Sequence, residues 1–354
     1  MSTTSDKMKI KTPEDLQKYI NKKYSAIFFG DESTTYFKAD TLNLIIYAGN
    51  ESTKLATQIS EFIVAMFSCR AIVLSKSKKY NDAYVSLVCN EFQSDDRKIC
   101  GEVISVEYTE DSLTSLGIVF PYLIADEPIV TLLLSSLSEW SIVIEDLVSI
   151  SDFLVIDSRN EIEPFESIKH IQETISSNNL KCLLYDISWI ELDNIRETIA
   201  SIFDDKNYRN LILNEKKIYI TICNDTLSSS MVLASWFARI LNMKLSDVKK
   251  EDNYYLCFYD DNKQLEITIQ KTSKFHFIIN IGSCSFYIGE EYKNSDEYTL
   301  SKQISKEKSP IIDGLSHILA TRKYDIVYSK SMDIVLNIWD KIKMLGNINE
   351  TNQV

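Results

Sequence analysis

The sequence predicts an α/β fold, and two patterns lead to that prediction. In the first two thirds of the chain, short apolar runs alternate with segments whose apolar residues recur at helical spacing. After Asn242, apolar residues stand at every second position, which is typical of antiparallel strands with one solvated face. We therefore predict mainly parallel, Rossmann-like sheet sections, followed by a C-terminal antiparallel meander and a closing helix.

The first section combines an early helix, a strand–turn–helix unit and further strands. Residues 12–15 (TPED) supply an N-cap, a proline at the first helical position and early acids, so a helix is predicted to about Tyr24. The apolar run 42–48 ends at Gly49, and apolar residues at helical spacing follow, which predicts strand, turn and helix. Further strands are predicted at 71–74, 84–89 and 102–108.

A second series predicts a mainly parallel sheet. Apolar runs at 129–134, 153–157, 180–185 and 218–223 predict strands, and amphipathic segments lie between and after them. Strands that alternate with helices imply right-handed crossovers. The helix after the last run, from Leu227 to Leu241, is apolar almost all round, so it is either deeply buried or covered by a partner.

The meander is predicted at 254–259, 265–269, 275–281 and 284–288, with a closing helix from Val335 to Leu345 that Gly346 ends. A chain of 354 residues exceeds one compact core. We predict an N-terminal α/β domain at 1–160, with a flexible tail at 1–11, and a C-terminal α/β domain with the meander at 161–354.

The charge balance argues against nucleic acid and membranes as partners. Asp and Glu outnumber Lys and Arg by 51 to 38, and the formal net charge is -13, which repels phosphate backbones and anionic lipid. Lysines cluster at 76–79 and 244–250, either as solvated loop charges or as a local basic patch. The N-terminus lacks the apolar region of a signal peptide, and a cytoplasmic location is expected.

Motif searches indicate neither catalysis nor a metal. The seven cysteines stand singly, without a Cys-x-x-Cys pair, which predicts buried reduced thiols. The eight glycines form neither G-x-G-x-x-G nor a phosphate-binding P-loop, and G-x-S-x-G is missing. The histidines His170, His276 and His317 lack metal-ligand spacing, and His276 is expected on the solvated face of its strand. We predict a non-enzyme without a cofactor.

Topology points to the strand ends as ligand candidates. In open α/β sheets, ligands gather beyond the carboxyl ends of the strands. Polar residues follow three runs, at 157–159 (Asp157, Ser158 and Arg159), at Asp186 with Ser188, and at 224–226. Arg159 has the chemistry to hold an anion such as a sugar phosphate. The alternative is that these residues only cap helices and form turns.

The order of several segments resembles the OpcA-type glucose-6-phosphate dehydrogenase assembly proteins. Between residues 98 and 159 the chain reads KICGEVISVEY, then FPYLIADEPIV, then EDLVSISDFLVIDSR. LNLIIYA and CRAIVL precede these segments, and ISWIELDNIRETIASIFDD and VLASWFARIL follow. The resemblance covers roughly residues 40 to 245 in the correct order.

The resemblance implies a non-catalytic role. A protein of this family is expected to bind glucose-6-phosphate dehydrogenase as an assembly factor or allosteric activator and so to regulate the oxidative pentose phosphate pathway. The residues it singles out are Arg70, Cys100, Glu102, Asp157, Ser158, Arg159, Trp189 and Trp236. Each has a structural interpretation as well: the tryptophans as core, Cys100 as a buried thiol, and Arg70 as a cap of a strand end. The alternative functions are a sugar-phosphate-binding sensor or enzyme that uses residues 157–159, and an interaction protein with an unrelated partner.

Overall fold

The computed structural model describes residues 8–9, 14–15, 18–19, 21–22, 35–37, 41–49, 52–76, 82–91, 97–108, 117, 119–136, 141–160, 164–250, 254–291, 293, 297–305, 310–321 and 325–351. Contacts divide the chain into two units. The first contains residues 1–157, 170–186 and 311–322, and the second contains 158–169, 187–310 and 323–354. Residues 170–186 and 311–322 therefore belong to the first unit although they follow residue 160. The predicted domain boundary at residue 160 stays a prediction.

The first unit is built on a nine-stranded sheet. Its strands are β1 Met8–Lys9, β2 Thr35–Phe37, β3 Asn43–Ala48, β4 Arg70–Lys76, β5 Asp82–Glu91, β6 Arg97–Tyr108, β7 Ile129–Leu133, β8 Phe153–Ile156 and β9 Leu183–Asp186. They lie in the order β1-β5-β6-β4-β3-β7-β8-β9, and β2 pairs with β6.

From β6 to β9, every neighbouring pair of strands is parallel. Numbered by sequence, these six strands have the order 3-2-1-4-5-6 of doubly wound dinucleotide-binding folds. The strand order reverses at β3, so the carboxyl ends of β3 and β7 flank the topological switch point. All six residues of β3 are buried, as a parallel strand covered on both faces requires.

Helix α1, Thr53–Phe67, connects β3 to β4 and packs closely against strand β6 at one point. Its buried residues include Ile59 and Ile63, which share one face of the helix. A Cβ at Gly101 on β6 would overlap Val64 Cγ1 of α1 and lie 2.7 Å from the carbonyl oxygen of Cys69. Only glycine therefore fits where β6 passes beneath the end of α1.

Further helices are α2 Ile142–Ile150, α3 Pro164–Ser177, α4 Ile187–Glu191, α5 Asp193–Phe203, α6 Lys206–Asn214, α7 Leu227–Ile240, α8 Pro310–Thr321 and α9 Ile326–Thr351. Residues Ser228 to Ala238 of α7 are all buried, which decides between the two interpretations of this helix in favour of burial. Helix α7 packs on the second sheet, and α9 packs on α7.

The second unit contains a seven-stranded mixed sheet. Its strands are β10 Lys217–Asn224, β11 Lys244–Lys250, β12 Tyr254–Tyr259, β13 Gln264–Lys271, β14 His276–Ile281, β15 Cys284–Gly289 and β16 Leu300–Gln303, in the order β11-β12-β13-β10-β14-β15-β16. The residues at alternate positions of β13, such as Leu265, Ile267 and Ile269, are buried, and those between them are half-buried. The predicted period-two pattern is confirmed.

Two predictions of sheet partners are wrong in detail. β10 does not continue the parallel series but lies in the second sheet, parallel to β13 and antiparallel to β14. It separates the two predicted hairpins, β12–β13 and β14–β15, so the meander is not continuous. The apolar pattern of a strand specifies which face is buried but not which strand lies beside it. Gly346 also does not end the closing helix, because α9 continues to Thr351.

The cysteine prediction is confirmed where the side chains are described. Cys69, Cys182, Cys223 and Cys257 are buried free thiols, and Cys284 is a half-buried one. Burial is the first cause that raises the pKa of Cys182 to about 12, followed by the nearby carboxylate of Asp152. Cys89, Cys100, Lys78 and Lys79 lie outside the residues whose side chains are described. The predicted tail at 1–11 also lies outside the described residues, except for Met8–Lys9, which form β1.

Candidate functional site

Arg70 and Glu102 form an ion pair inside the first unit. The Arg70 guanidinium donates from Nε to Glu102 Oε2 at 2.7 Å and from Nη1 to the carbonyl oxygen of Tyr122 at 2.6 Å. The Glu102 side chain is 1% exposed and that of Arg70 is 14% exposed. These contacts join β4 to β6 and to the 3-10 turn Phe120–Tyr122. The geometry favours a structural role for both residues.

Residues 158 and 159 converge with Trp189 on helix α4. The hydroxyl of Ser158 donates to that of Ser188 at 2.9 Å, and both residues are fully buried. Arg159 Nη1 donates to Glu191 Oε2 at 3.1 Å. Asp157 is half-buried at the end of β8. The polar groups of Ser158 and Arg159 are thus directed at α4, the helix that carries Trp189.

Trp189 joins α4 to the beginning of α9. Its indole Nε1 donates to Asp325 Oδ2 at 2.6 Å, while Asp325 Oδ1 accepts from the backbone N–H groups of Val327 and Tyr328 as an N-cap. The Arg196 guanidinium lies 3.2 Å from the centre of the indole ring, a cation–π contact. Burial is the main cause that lowers the pKa of Arg196 to about 10, against the opposing effect of nearby carboxylates. Trp189 is therefore a core residue.

Trp236 is also a core residue. It is 6% exposed in the middle of α7, with its ring centroid 6.3 Å from that of Phe237. Neither tryptophan presents a surface to a ligand, which agrees with the structural interpretation of both.

The strand end of β10 lines a small cleft. Asn224, Ser229 and Glu290 line it together with Glu191, the partner of Arg159. The cleft has a volume of about 30 Å³, which is the volume that one water molecule occupies in the liquid. The Asn224 side chain accepts from the backbone N–H of Asp225, and the hydroxyl of Thr226 donates to that of Ser229. These contacts match the turn and capping interpretation of residues 224–226.

A larger cleft of about 320 Å³ lies on the other face of the second sheet, at the turn between β13 and β14. Volumes of this size are typical of small-molecule sites. His276 and Tyr287 stand on neighbouring strands with ring centroids 6.0 Å apart and ring planes at 21°. Tyr298 adds a third ring, 5.1 Å from that of Tyr287. Sequence reasoning placed His276 correctly on the face opposite Phe277, but it did not identify this cleft.

Charged side chains surround the cleft. Lys274 forms an ion pair with Glu291, and Lys293 also lines the opening. Burial, followed by the positive charge of Lys293, lowers the pKa of His276 below its ordinary value of 6.5, so its imidazole is mainly neutral at pH 7. Burial likewise raises the pKa of Tyr287, which keeps its phenol protonated. The cleft therefore combines neutral ring donors with two ammonium groups and one carboxylate.

The described residues offer neither a metal centre nor a membrane span. Within them, no three side chains of His, Cys, Asp or Glu lie close enough together to hold a metal ion. None of the helices, as far as the structure describes them, is both long and apolar enough to cross a bilayer.

The strand order and the second mixed sheet define the class: a Rossmann-like α/β protein. An oxidoreductase from Sinorhizobium meliloti shares this fold, with 6% identity and a TM-score of 0.50 over 86% of this chain and 96% of its own. A dehydrogenase from Clostridium difficile aligns at 10% identity and a TM-score of 0.49 over 86% of this chain and 99% of its own. Identities this low show the fold alone.

The family follows from a shorter segment. The family model described as glucose-6-phosphate dehydrogenase subunit N-terminal domain, the OpcA type, matches residues 61–173. The resemblance found in the sequence is thereby confirmed. No curated protein sequence matches the chain significantly.

The switch point of the first sheet does not fit a dinucleotide. Doubly wound folds of this strand order bind the pyrophosphate at a G-x-G-x-x-G turn after the first strand. Here the turn after β3 reads GNESTK, with Gly49 alone at the first position. The hydroxyl of Ser52 donates to the carbonyl oxygen of Leu134 at 3.2 Å, and the backbone N–H of Leu134 donates to the carbonyl oxygen of Tyr47 at 2.8 Å. These bonds link the ends of β3 and β7 directly, where the fold otherwise leaves a crevice.

Proposed function

We propose that this protein is a non-catalytic assembly factor or allosteric activator that binds glucose-6-phosphate dehydrogenase in the cytoplasm and regulates the oxidative pentose phosphate pathway. The observation that carries the proposal is the family match over residues 61–173. The turn after β3 supports it, because a chain of dehydrogenase-like fold whose first turn does not fit a dinucleotide is suited to binding rather than hydride transfer.

An apolar stripe on α1 offers a surface for the partner. Leu55, Phe62 and Met66 are 42%, 46% and 56% exposed, and their spacing places them on one side of the helix. Two of the three lie within the family match. Large apolar side chains grouped on an exposed face are characteristic of interaction surfaces. We infer that the dehydrogenase covers this stripe.

The experiment mixes the purified protein with the dehydrogenase of the same organism and follows co-elution and NADPH production over a range of substrate concentrations. A shared peak with a changed apparent substrate affinity or maximal rate supports the proposal. The double variant F62S/M66S is expected to lose the shared peak, whereas Leu213→Ser on α6, at a site that is 54% exposed, serves as the matched control. If both proteins are folded and neither co-elution nor kinetics changes, the proposed function is wrong.

The alternative function, a sugar-phosphate-binding sensor or enzyme at Asp157, Ser158 and Arg159, has less support. The side chains of Arg159 and Glu191 are both 13% exposed and bound to each other, and the nearby cleft holds about one water molecule. Arg159→Ala tests it: the alternative predicts that the folded variant loses sugar-phosphate binding. Unchanged sugar-phosphate binding by the folded variant would show that Arg159 does not hold this ligand.

A further inference from the structure

The cleft on the second sheet has the architecture of a ligand site. Its floor is a row of three rings, His276, Tyr287 and Tyr298, in which Tyr287 is the middle member and is 3% exposed. His276 and Tyr298 are half-buried, so they present ring surface to the cleft. Aromatic rings positioned in this way form a platform on which the apolar C–H face of a sugar ring packs.

Gly289 keeps this row in place. It is the residue opposite His276 in the β14–β15 ladder, and a Cβ there would overlap the phenol oxygen of Tyr287 and lie 2.6 Å from its Cζ atom. The ring of Tyr287 therefore occupies the space that any other residue at 289 would fill. The position of the Tyr287 ring in the row therefore depends on glycine at residue 289.

The rim of the cleft supplies charge and hydroxyl groups. Lys274 and Lys293 carry two positive charges against the one negative charge of Glu291. Thr272 and Ser273 in the β13–β14 turn add hydroxyl groups. The charge of Glu290 acts on both Lys274 and Tyr287 and balances the second lysine, so the cleft has no net positive charge. An anion is favoured here through direct contacts with the ammonium and hydroxyl groups of the rim.

We propose that this cleft binds a small organic anion that carries a ring: a phosphorylated sugar whose phosphate contacts Lys293 and Lys274 and whose ring stacks on Tyr298 and His276. The class of ligand rests on the cleft alone, since a volume of about 320 Å³ accommodates a molecule of this size. The choice of a sugar phosphate rests in addition on the proposed function. The site is distinct from Arg159 and from the stripe on α1.

The test measures binding to the chain alone by isothermal titration calorimetry, with glucose 6-phosphate as the probe. Glucose supplies the ring without the charge, glucuronate supplies the ring with a carboxylate instead of a phosphate, and inorganic phosphate supplies the charge alone. We expect glucose 6-phosphate to bind at least about 10-fold more tightly than glucose or inorganic phosphate, because a charge-assisted bond and a stacking contact each contribute roughly this factor. Glucuronate binding as tightly as glucose 6-phosphate would show that the site does not select phosphate and would overturn the choice of phosphate.

Variants locate the site. Lys293→Met and Tyr298→Leu alter exposed or half-buried positions, and each is expected to raise the dissociation constant about 10-fold. Gly289→Ala is expected to weaken binding by displacing the ring of Tyr287. Lys302→Met is the matched control, because Lys302 pairs with Ile288 and therefore points to the opposite face of the sheet from Tyr287.

Three results would overturn the proposal: no binding of glucose 6-phosphate at millimolar concentration, equal binding of inorganic phosphate, or binding that Arg159→Ala removes and Lys293→Met leaves intact. Since the dehydrogenase is not present in this experiment, its outcome is independent of the co-elution test. A positive co-elution with no ligand binding would leave the assembly function standing and reject the cleft.

Discussion

The ion pair of Arg70 and Glu102 allows a quantitative prediction for the first unit. Replacement of Arg70 by Met keeps much of the apolar stem but leaves the Glu102 carboxylate, which is 1% exposed, without its 2.7 Å donor. Breaking a buried pair from one side costs about 3–5 kcal/mol, because the remaining charge stays desolvated. The carbonyl oxygen of Tyr122 loses a 2.6 Å donor as well, so we expect a loss of about 3 kcal/mol or more.

The double variant R70M/E102L tests whether the cost of Arg70→Met comes from the unpaired charge of Glu102. Removing both partners of a buried ion pair in favour of apolar side chains is often nearly neutral. We expect the double variant to lie within about 2 kcal/mol of the wild type and thus to be more stable than Arg70→Met alone. Lys169→Met is the control, because Lys169 pairs with Asp340 at 3.5 Å with both side chains more than 40% exposed. Its cost is expected to stay below about 1 kcal/mol.

The assay is urea unfolding followed by far-UV circular dichroism, with hydrogen exchange of peptides from β4 and β6 to assign the transition to the first unit. With a slope of about 2 kcal/mol per molar urea, a loss of 3 kcal/mol lowers the midpoint by about 1.5 M. The reasoning would be refuted if Arg70→Met cost less than about 1 kcal/mol, or if the double variant were less stable than the single one.

Two further predictions concern the second unit. Trp189→Phe removes the 2.6 Å bond to Asp325, and we expect a loss of about 2 kcal/mol in urea unfolding; a change under about 0.5 kcal/mol would show that the bond does not stabilise α9. The Lys343 ammonium lowers the pKa of Glu166 below 4.5, so the pair stabilises the protein above that pH and the effect is lost as the pH falls through the lowered pKa. Because both side chains are more than a third exposed, Glu166→Gln should cost only about 0.5 kcal/mol at pH 7. The difference from the wild type should shrink in high salt and as the pH is lowered below 4.5; a difference that is unchanged throughout an acid titration would contradict this assignment.

The sequence determined the elements of secondary structure. The apolar run 42–48 became β3, the helical spacing after Gly49 became α1, and the alternation in 265–269 became β13. These patterns are local, because the period of a helix or a strand is set by the backbone and the burial of one face. The order of segments in the sequence also indicated the resemblance to the OpcA-type family, which the match over residues 61–173 confirms.

Only the tertiary structure decided which elements meet. β10 has the same apolar character as the parallel strands before it, and its place between β13 and β14 depends on pairing with residues about fifty positions away. Arg70 and Glu102 were both singled out from the sequence, but their ion pair appears only when β4 and β6 lie side by side. The ring row of the cleft comes from two strands and a following segment that no local pattern connects. Long-range pairing depends on the whole set of buried faces at once, and for this reason the candidate ligand cleft was found in the structure and not in the sequence.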